Sequence, residues 1–244
     1  MNTNANCTAF VTGASTGIGR AIAQRLANDG YYVYLQGRNK NDLSETQSLI
    51  AKKGGGSELL LGDLKDRAYV TELGDFLRSK IDRLNVIVYA AGVWHNENEV
   101  FAGVPLADTT VQQIEEVMEV GIIAPMLLSK ALLPLMIPFK QGKILCISGT
   151  FATGGAGWLH YYVSKLALEQ LTVGLAQELR EHEIQVNCIS PSDTDTPALR
   201  RFFPEDAETA IKPEEVADLA SYLCSPRADN ITGQIIVVKN KSVH

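Results

Sequence analysis

Hydrophobic and polar positions along the chain follow two alternating rhythms. Short, mostly apolar runs near 7–12, 31–36, 58–62, 85–90, 142–148, 184–189 and 233–238 read as buried strands. Between them the apolar residues recur at helical spacing, as in Ile18, Ala21, Ile22 and Leu26, and the longest such stretches lie near 106–135 and 157–181. Strand and helix alternate throughout, and no Pro/Gly/Ser-rich or charged linker interrupts them. The pattern predicts one α/β domain over residues 1–244, a doubly wound parallel sheet of seven strands with helices on both faces. Ligands of such sheets bind beyond the carboxyl ends of the strands. Gly13, Arg38, Asp63, Gly92, Ser148 and Pro191 all fall at those ends.

Composition narrows the partners. A hydrophobic content of 45% is ordinary for a domain with a full core, and the net charge of −6 argues against nucleic acid or an anionic membrane. The apolar run Val120–Phe139 has the length of a membrane span. It contains Lys130, Pro125, Pro134 and Pro138, however, and sits inside the α/β pattern, so a buried helix is expected. Cys7, Cys146, Cys188 and Cys224 are far apart without metal-ligand spacing, which predicts free thiols, no metal and a cytoplasmic protein. The polar segment Met1 to Asn6 does not read as a signal peptide.

Two motifs carry candidate chemistry. Cys7 to Thr12 runs into Gly13-Ala14-Ser15-Thr16-Gly17-Ile18-Gly19 and then into a helix, the context in which a glycine turn presents free N–H groups to a pyrophosphate. Tyr161 and Lys165 stand four apart on one face of a predicted helix. A cation one turn from a phenol favours the phenolate and eases proton transfer to a reacting oxygen. Taken alone, the pair also fits an exposed surface contact, and the glycine run an ordinary turn.

Taken together, the motifs resemble the short-chain dehydrogenase/reductase family over nearly the whole chain. Thr12 to Gly19 is similar to that family's cofactor loop. Asp63 matches its adenine-binding aspartate, Tyr89-Ala90-Ala91-Gly92 its Asn-Asn-Ala-Gly segment, and Tyr161 with Lys165 its catalytic Tyr-x-x-x-Lys. Asn187 to Pro191 followed by Thr196 resembles the segment that packs on the nicotinamide, and Pro213 to Ala217 and Ile231 to Gln234 match the closing helix and last strand. The resemblance implies a Rossmann domain that binds its cofactor through Gly13, Ser15, Thr16, Gly17, Ile18, Gly19, Arg38, Asp63, Leu64, Ala91, Gly92, Tyr161, Lys165, Pro191, Thr194 and Thr196.

Three positions depart from the family pattern. Gly121 falls where the family has a catalytic asparagine, Tyr89 and Ala90 replace two further asparagines, and the fifth strand ends Cys146-Ile147-Ser148-Gly149-Thr150. Alignment of that strand places Gly149 at the serine position, whereas spacing back from Tyr161 selects Ser148. Ser148 is taken as the catalytic hydroxyl, with Thr150 as the alternative. Because the family asparagine holds a water of the proton relay, Gly121→Asn is expected to keep or raise kcat if the helix accepts the side chain.

Arg38 follows the second strand where NAD enzymes place an acid, and Gly37 leaves nothing to repel a ribose 2′-phosphate. NADP is therefore expected over NAD, although Arg38 also fits a solvated loop arginine. Asp63 reads equally as a helix N-cap before Lys65-Asp66-Arg67. Trp94, Thr150 and Phe202 are candidate substrate neighbours. In the lid region, about 193–212, Phe202 and Phe203 suit an apolar substrate, and Arg200 and Arg201 an anionic one. His95 and His160 read as surface or packing residues, and Asp193 and Asp195 as solvated loop acids. By resemblance, the expected activity is NADP-dependent interconversion of a small carbonyl compound and a secondary alcohol, in a homotetramer. A weakened NADP-binding sensor and an epimerase on the same scaffold are the alternatives.

Overall fold

The computed structural model describes residues 7–151 and 154–240, so the segment Met1 to Asn6 lies outside the described residues. Seven strands form one sheet: β1 (Thr8–Thr12), β2 (Tyr32–Gly37), β3 (Ser57–Leu61), β4 (Val86–Tyr89), β5 (Gly142–Ile147), β6 (Ile184–Pro191) and β7 (Ile235–Val238). Their order is β3-β2-β1-β4-β5-β6-β7, and every pairing is parallel. The chain turns from one winding direction to the other between β1 and β4. That switch point opens a crevice at the carboxyl ends.

Side chains alternate across the strands, so each face of the sheet has its own core. Phe10, Ile87, Ile144 and Cys146 point to the face covered by α3 (Arg67–Lys80), α4 (Val111–Met118), α5 (Ala124–Leu132) and α6 (Leu159–Glu178). Ala9, Val11, Val88, Leu145 and Ile147 meet α1 (Gly17–Asn28), α2 (Lys40–Lys52) and α9 (Pro213–Cys224) on the other. Two short helices, α7 (Pro197–Phe202) and α8 (Pro204–Thr209), occupy the predicted lid between β6 and α9.

The seven predicted strands match the observed ones to within two residues at every end. The stretch expected as one helix over 106–135 is broken. A 3-10 turn (Leu106–Asp108) precedes α4, a five-residue π turn (Glu119–Ile123) joins α4 to α5, and a 3-10 turn (Leu133–Leu135) closes it. Pro125 has no N–H to donate back into the preceding turn, and Gly121 lies inside the widened segment. By length and hydropathy this run could cross a membrane, but it presents Val117, Val120, Leu128 and Leu132 to the core under the sheet.

Candidate active site

The cofactor side of the crevice is assembled from backbone held in place by buried polar side chains. Gly13 and Gly17 adopt positive φ of 65° and 54°, which a side chain rarely tolerates. A Cβ on Gly13 would also stand 2.8 Å from the Ala91 backbone, so the turn and the end of β4 are pressed together. Thr12 locks this junction, its hydroxyl accepting from the N–H groups of Ala90 and Ala91 at 3.1 and 3.2 Å. Gln36, almost fully buried on β2, accepts from the Gly13 N–H at 3.4 Å and donates to the Gly62 carbonyl at 2.9 Å. Thr46 and Arg20 tie down the carbonyls of Ala14 and Ser15. Sequence reading missed Gln36. Its only signal was a polar residue in an apolar strand.

α1 begins at Gly17, and among the described residues its N-cap Thr16 makes no side-chain cap hydrogen bond. The first N–H groups of the helix therefore face the crevice, as an anion site requires. Ser15, Thr16, Gly17, Ile18 and Gly19 line it with Gly13.

Arg38, Asp63 and Leu64 continue the lining past β2 and β3. Arg38 Nη1 lies 3.7 Å from Asp63 Oδ2, and the arginine side chain is 56% exposed at the rim. Gly37 does more than lack a charge. Any Cβ there would overlap the Ser15 hydroxyl, so an acidic side chain has no room unless Ser15 moves. Asp63 is not the cap of the next helix: Asp66 takes that role, accepting from Ala68 and Tyr69, while the Asp63 carboxylate accepts from the Lys65 N–H at 3.1 Å and pairs with Arg38 and the Lys65 ammonium. Together these features fit a dinucleotide, with pyrophosphate at the α1 terminus and a ribose phosphate at Arg38.

At the inner end, α6 delivers Tyr161 and Lys165 to the same wall as Ala91 and Gly92. A Cβ on Gly92 would be 3.1 Å from Lys165 Nζ and 3.8 Å from the Tyr161 hydroxyl oxygen, so both functional atoms converge on this glycine. Lys165 is 3% exposed. Its ammonium donates to the Ile147 carbonyl at 3.0 Å and stands 5.3 Å from the Tyr161 ring centre.

Ser148 also lines the crevice, but its hydroxyl donates to Glu169 Oε1 at 2.8 Å. The alternation Ile144, Cys146, Ser148 turns it to the α6 face, where Glu169 lies one turn beyond Lys165. Thr150 stands outside the lining and donates to the Ser190 carbonyl at 3.0 Å. Both candidate hydroxyl protons are thus held by protein acceptors. Pro191 and Thr194 also lie outside the lining: Pro191 pairs with Val238 at the end of β6, and Thr194 bonds the Ser192 carbonyl. Thr196 does reach the crevice, its methyl facing Gly17, and caps α7 through the Leu199 N–H.

Gly121 faces Ser164 across the π turn. A Cβ there would come within 3.0 Å of both Cβ and Oγ of Ser164, which is fully buried and bonded to the Tyr161 carbonyl at 2.7 Å. The expectation for asparagine at 121 is conditional on the helix accepting the side chain, and that condition falls on Ser164, which must give way for a Cβ to fit. Burial pushes the neighbouring His160 toward its neutral form, consistent with a packing role.

The outer wall is aromatic. Trp94 lines the crevice, and Phe202 stands just outside the lining but touches Trp94, with ring centres 6.0 Å apart. Trp158, at the N-cap of α6, stands 6.1 Å from the Tyr161 ring. It was missed as a site residue, although its three-residue spacing from Tyr161 places it one helical turn away.

Known proteins share this sequence pattern and fold over most of the chain. A family model described as enoyl-(acyl carrier protein) reductase matches residues 13–240. The uncharacterized oxidoreductase YmfI of Bacillus subtilis is 31% identical over 245 residues, covering 96% of this chain and 97% of that protein. Dehydrogenase/reductase SDR family member 4 of Homo sapiens is 31% identical over 249 residues, covering 96% and 86%. The crystal structure of a 3-oxoacyl (acyl-carrier-protein) reductase from Agrobacterium tumefaciens with NADP bound has a TM-score of 0.86 at 25% identity, covering 96% of this chain and 93% of that one.

Proposed function

The chain belongs to the short-chain dehydrogenase/reductase family, and from that premise we propose that it interconverts a carbonyl and a secondary alcohol with NADP, Tyr161 serving as general acid and base. The observation that carries this reading is the convergence of the Tyr161 hydroxyl and the Lys165 ammonium at Gly92, on the wall shared with the glycine turn. The open α1 terminus and Gly13 to Gly19 would hold the pyrophosphate, and Arg38 the 2′-phosphate. When bound, the cofactor supplies the hydride that forms the new C–H bond, or accepts it in the reverse direction.

The protein handles the proton. As the carbonyl π bond opens, the pair of electrons moves to oxygen, which takes the Tyr161 hydroxyl proton. Lys165, buried and fixed by the Ile147 carbonyl, stabilises the phenolate left behind, which solvent then reprotonates. Ser148 is assigned to orient the substrate oxygen, which requires it to exchange Glu169 for that oxygen as acceptor. Val111 and Met126 on α4 and α5, with Val163 and Leu166 on α6, are exposed apolar residues that support self-association.

The test is NADPH consumption across a panel of ketones and aldehydes, with NADP+ reduction across the matching alcohols. Tight NADPH binding without turnover of any of them would refute the enzyme reading and favour the sensor.

A further inference from the structure

Beyond the Tyr161 end of the crevice, three separate segments bring rings together. Trp94 comes from the loop after β4, Trp158 from the N-cap of α6, and Phe202 and Phe203 from the end of α7. Trp94 lies 6.0 Å from Trp158, 6.0 Å from Phe202 and 6.1 Å from Phe203, while Trp158 lies 5.9 Å from Phe203. The set reaches the reacting phenol through Trp158 at 6.1 Å, and Phe151 adds a further ring 5.9 Å from Tyr161. Trp94 lines the crevice, whereas Trp158, Phe202 and Phe203 stand beside its lining and pack on Trp94; all four rings are half-buried, so each keeps part of its surface exposed for a ligand.

The two lid arginines are already engaged. Arg200 pairs with both Asp195 carboxylate oxygens through Nε and Nη2, and Arg201 donates to the Glu97 carbonyl at 2.6 Å with its guanidinium 5.1 Å from the Phe202 ring. An anionic substrate would have to compete with these partners. A flat, neutral π system would instead stack on rings that already favour tilted and edge contacts.

Resting on the carbonyl–alcohol reading above, we propose that the substrate is a neutral aryl carbonyl compound, or the corresponding alcohol, held by the Trp94–Trp158–Phe203 cage beside Tyr161. Trp158 and Phe203 are then specificity residues: they hold the ring and take no part in proton transfer.

Both tryptophans of the chain belong to the cage, so intrinsic emission reports its occupancy without turnover. One arm titrates the NADP+-loaded protein with 1-phenylethanol and follows tryptophan emission. The other compares kcat/KM for acetophenone, 2-octanone and acetoacetate with NADPH. The proposal expects a saturable change in emission and a preference for acetophenone of about tenfold or more over both others. Phe203→Leu should raise KM for acetophenone about tenfold, with kcat, NADPH affinity and melting temperature retained, and Phe203→Tyr should restore it. Equal or better use of 2-octanone or acetoacetate, or no emission change at high 1-phenylethanol, would overturn the aryl assignment and leave the oxidoreductase reading intact. A saturable emission change with no ketone turned over would support the cage and sink the catalytic reading instead.

Discussion

The two halves of the crevice are made of different materials. On the cofactor side, apart from Arg38, Asp63 and Leu64 at the rim, much of the contact surface is backbone: the Gly13–Gly19 turn, the open start of α1 and the Ala91–Gly92 end of β4, braced from behind by Thr12, Gln36 and Thr46. On the proposed substrate side, the surface is side chain: Trp94 lines the crevice, and the rings of Trp158, Phe202 and Phe203, from the start of α6 and the lid, pack beside it. A backbone site depends on close approach, which few substitutions allow. A side-chain site can change its ligand by exchanging single residues on loops while the scaffold stays the same.

The largest effect should come at the seam between the halves. Tyr161→Phe removes the transferable proton while leaving the ring among its neighbours, so kcat should fall by about 10²–10⁴-fold with the NADPH dissociation constant nearly unchanged. Steady-state kinetics beside a cofactor titration checks both. If most of the activity survives, the proton comes from elsewhere, and Tyr162 is the next residue to replace.

On the cofactor side, Arg38→Asp should weaken NADPH binding by roughly tenfold to a hundredfold and spare NADH, because it replaces a charge-assisted contact with repulsion. Equal affinity of the unmodified protein for the two cofactors would show that Arg38 belongs to its pair with Asp63 rather than to the ligand.

Gly121→Asn probes how far close packing extends beyond the glycine turn. The added atoms meet buried Ser164, so we expect overpacking of about 1–3 kcal/mol, seen as a lower melting temperature. Unchanged melting with normal or higher kcat would show that the π turn yields easily and that the space was never limiting.

The smallest effect belongs to the lid. Burial, with Asp206 adding to it, raises Asp193 above the usual carboxylate range. A carboxyl raised in the folded state weakens the fold when ionised, and that penalty disappears as pH falls below the ordinary aspartate value. Asp193→Asn should therefore raise the free energy of unfolding at neutral pH by less than about 1 kcal/mol after solvent screening, seen as a slightly higher melting temperature, and make no difference in acid. The opposite pH trend would mean that the carboxylate is stabilised by its surroundings.

Sequence alone determined the seven strands, their alternation with helices, the glycine turn and the Tyr161–Lys165 pair. Each of these obeys a local rule: buried parallel strands are apolar runs, a turn of positive φ takes glycine, and a four-residue spacing shares a helix face. The tertiary structure alone decided what depends on partners distant in the chain. Gln36 looked like an ordinary strand residue until β3 and the Gly13 turn came within reach of its amide. The Ser148 hydroxyl was assigned by spacing, and only packing of α6 on β5 reveals Glu169 as its acceptor. At Gly121 the sequence shows only that a side-chain amide is missing; that the neighbour limiting any larger residue is Ser164 follows from a helix that begins 38 residues later at Leu159. The aromatic wall joins a loop after β4 to the ends of two helices distant in the chain, and no periodicity in any one of them announces the others. Local rules are written in the order of the residues, whereas contact between distant segments exists only once the sheet has brought them together.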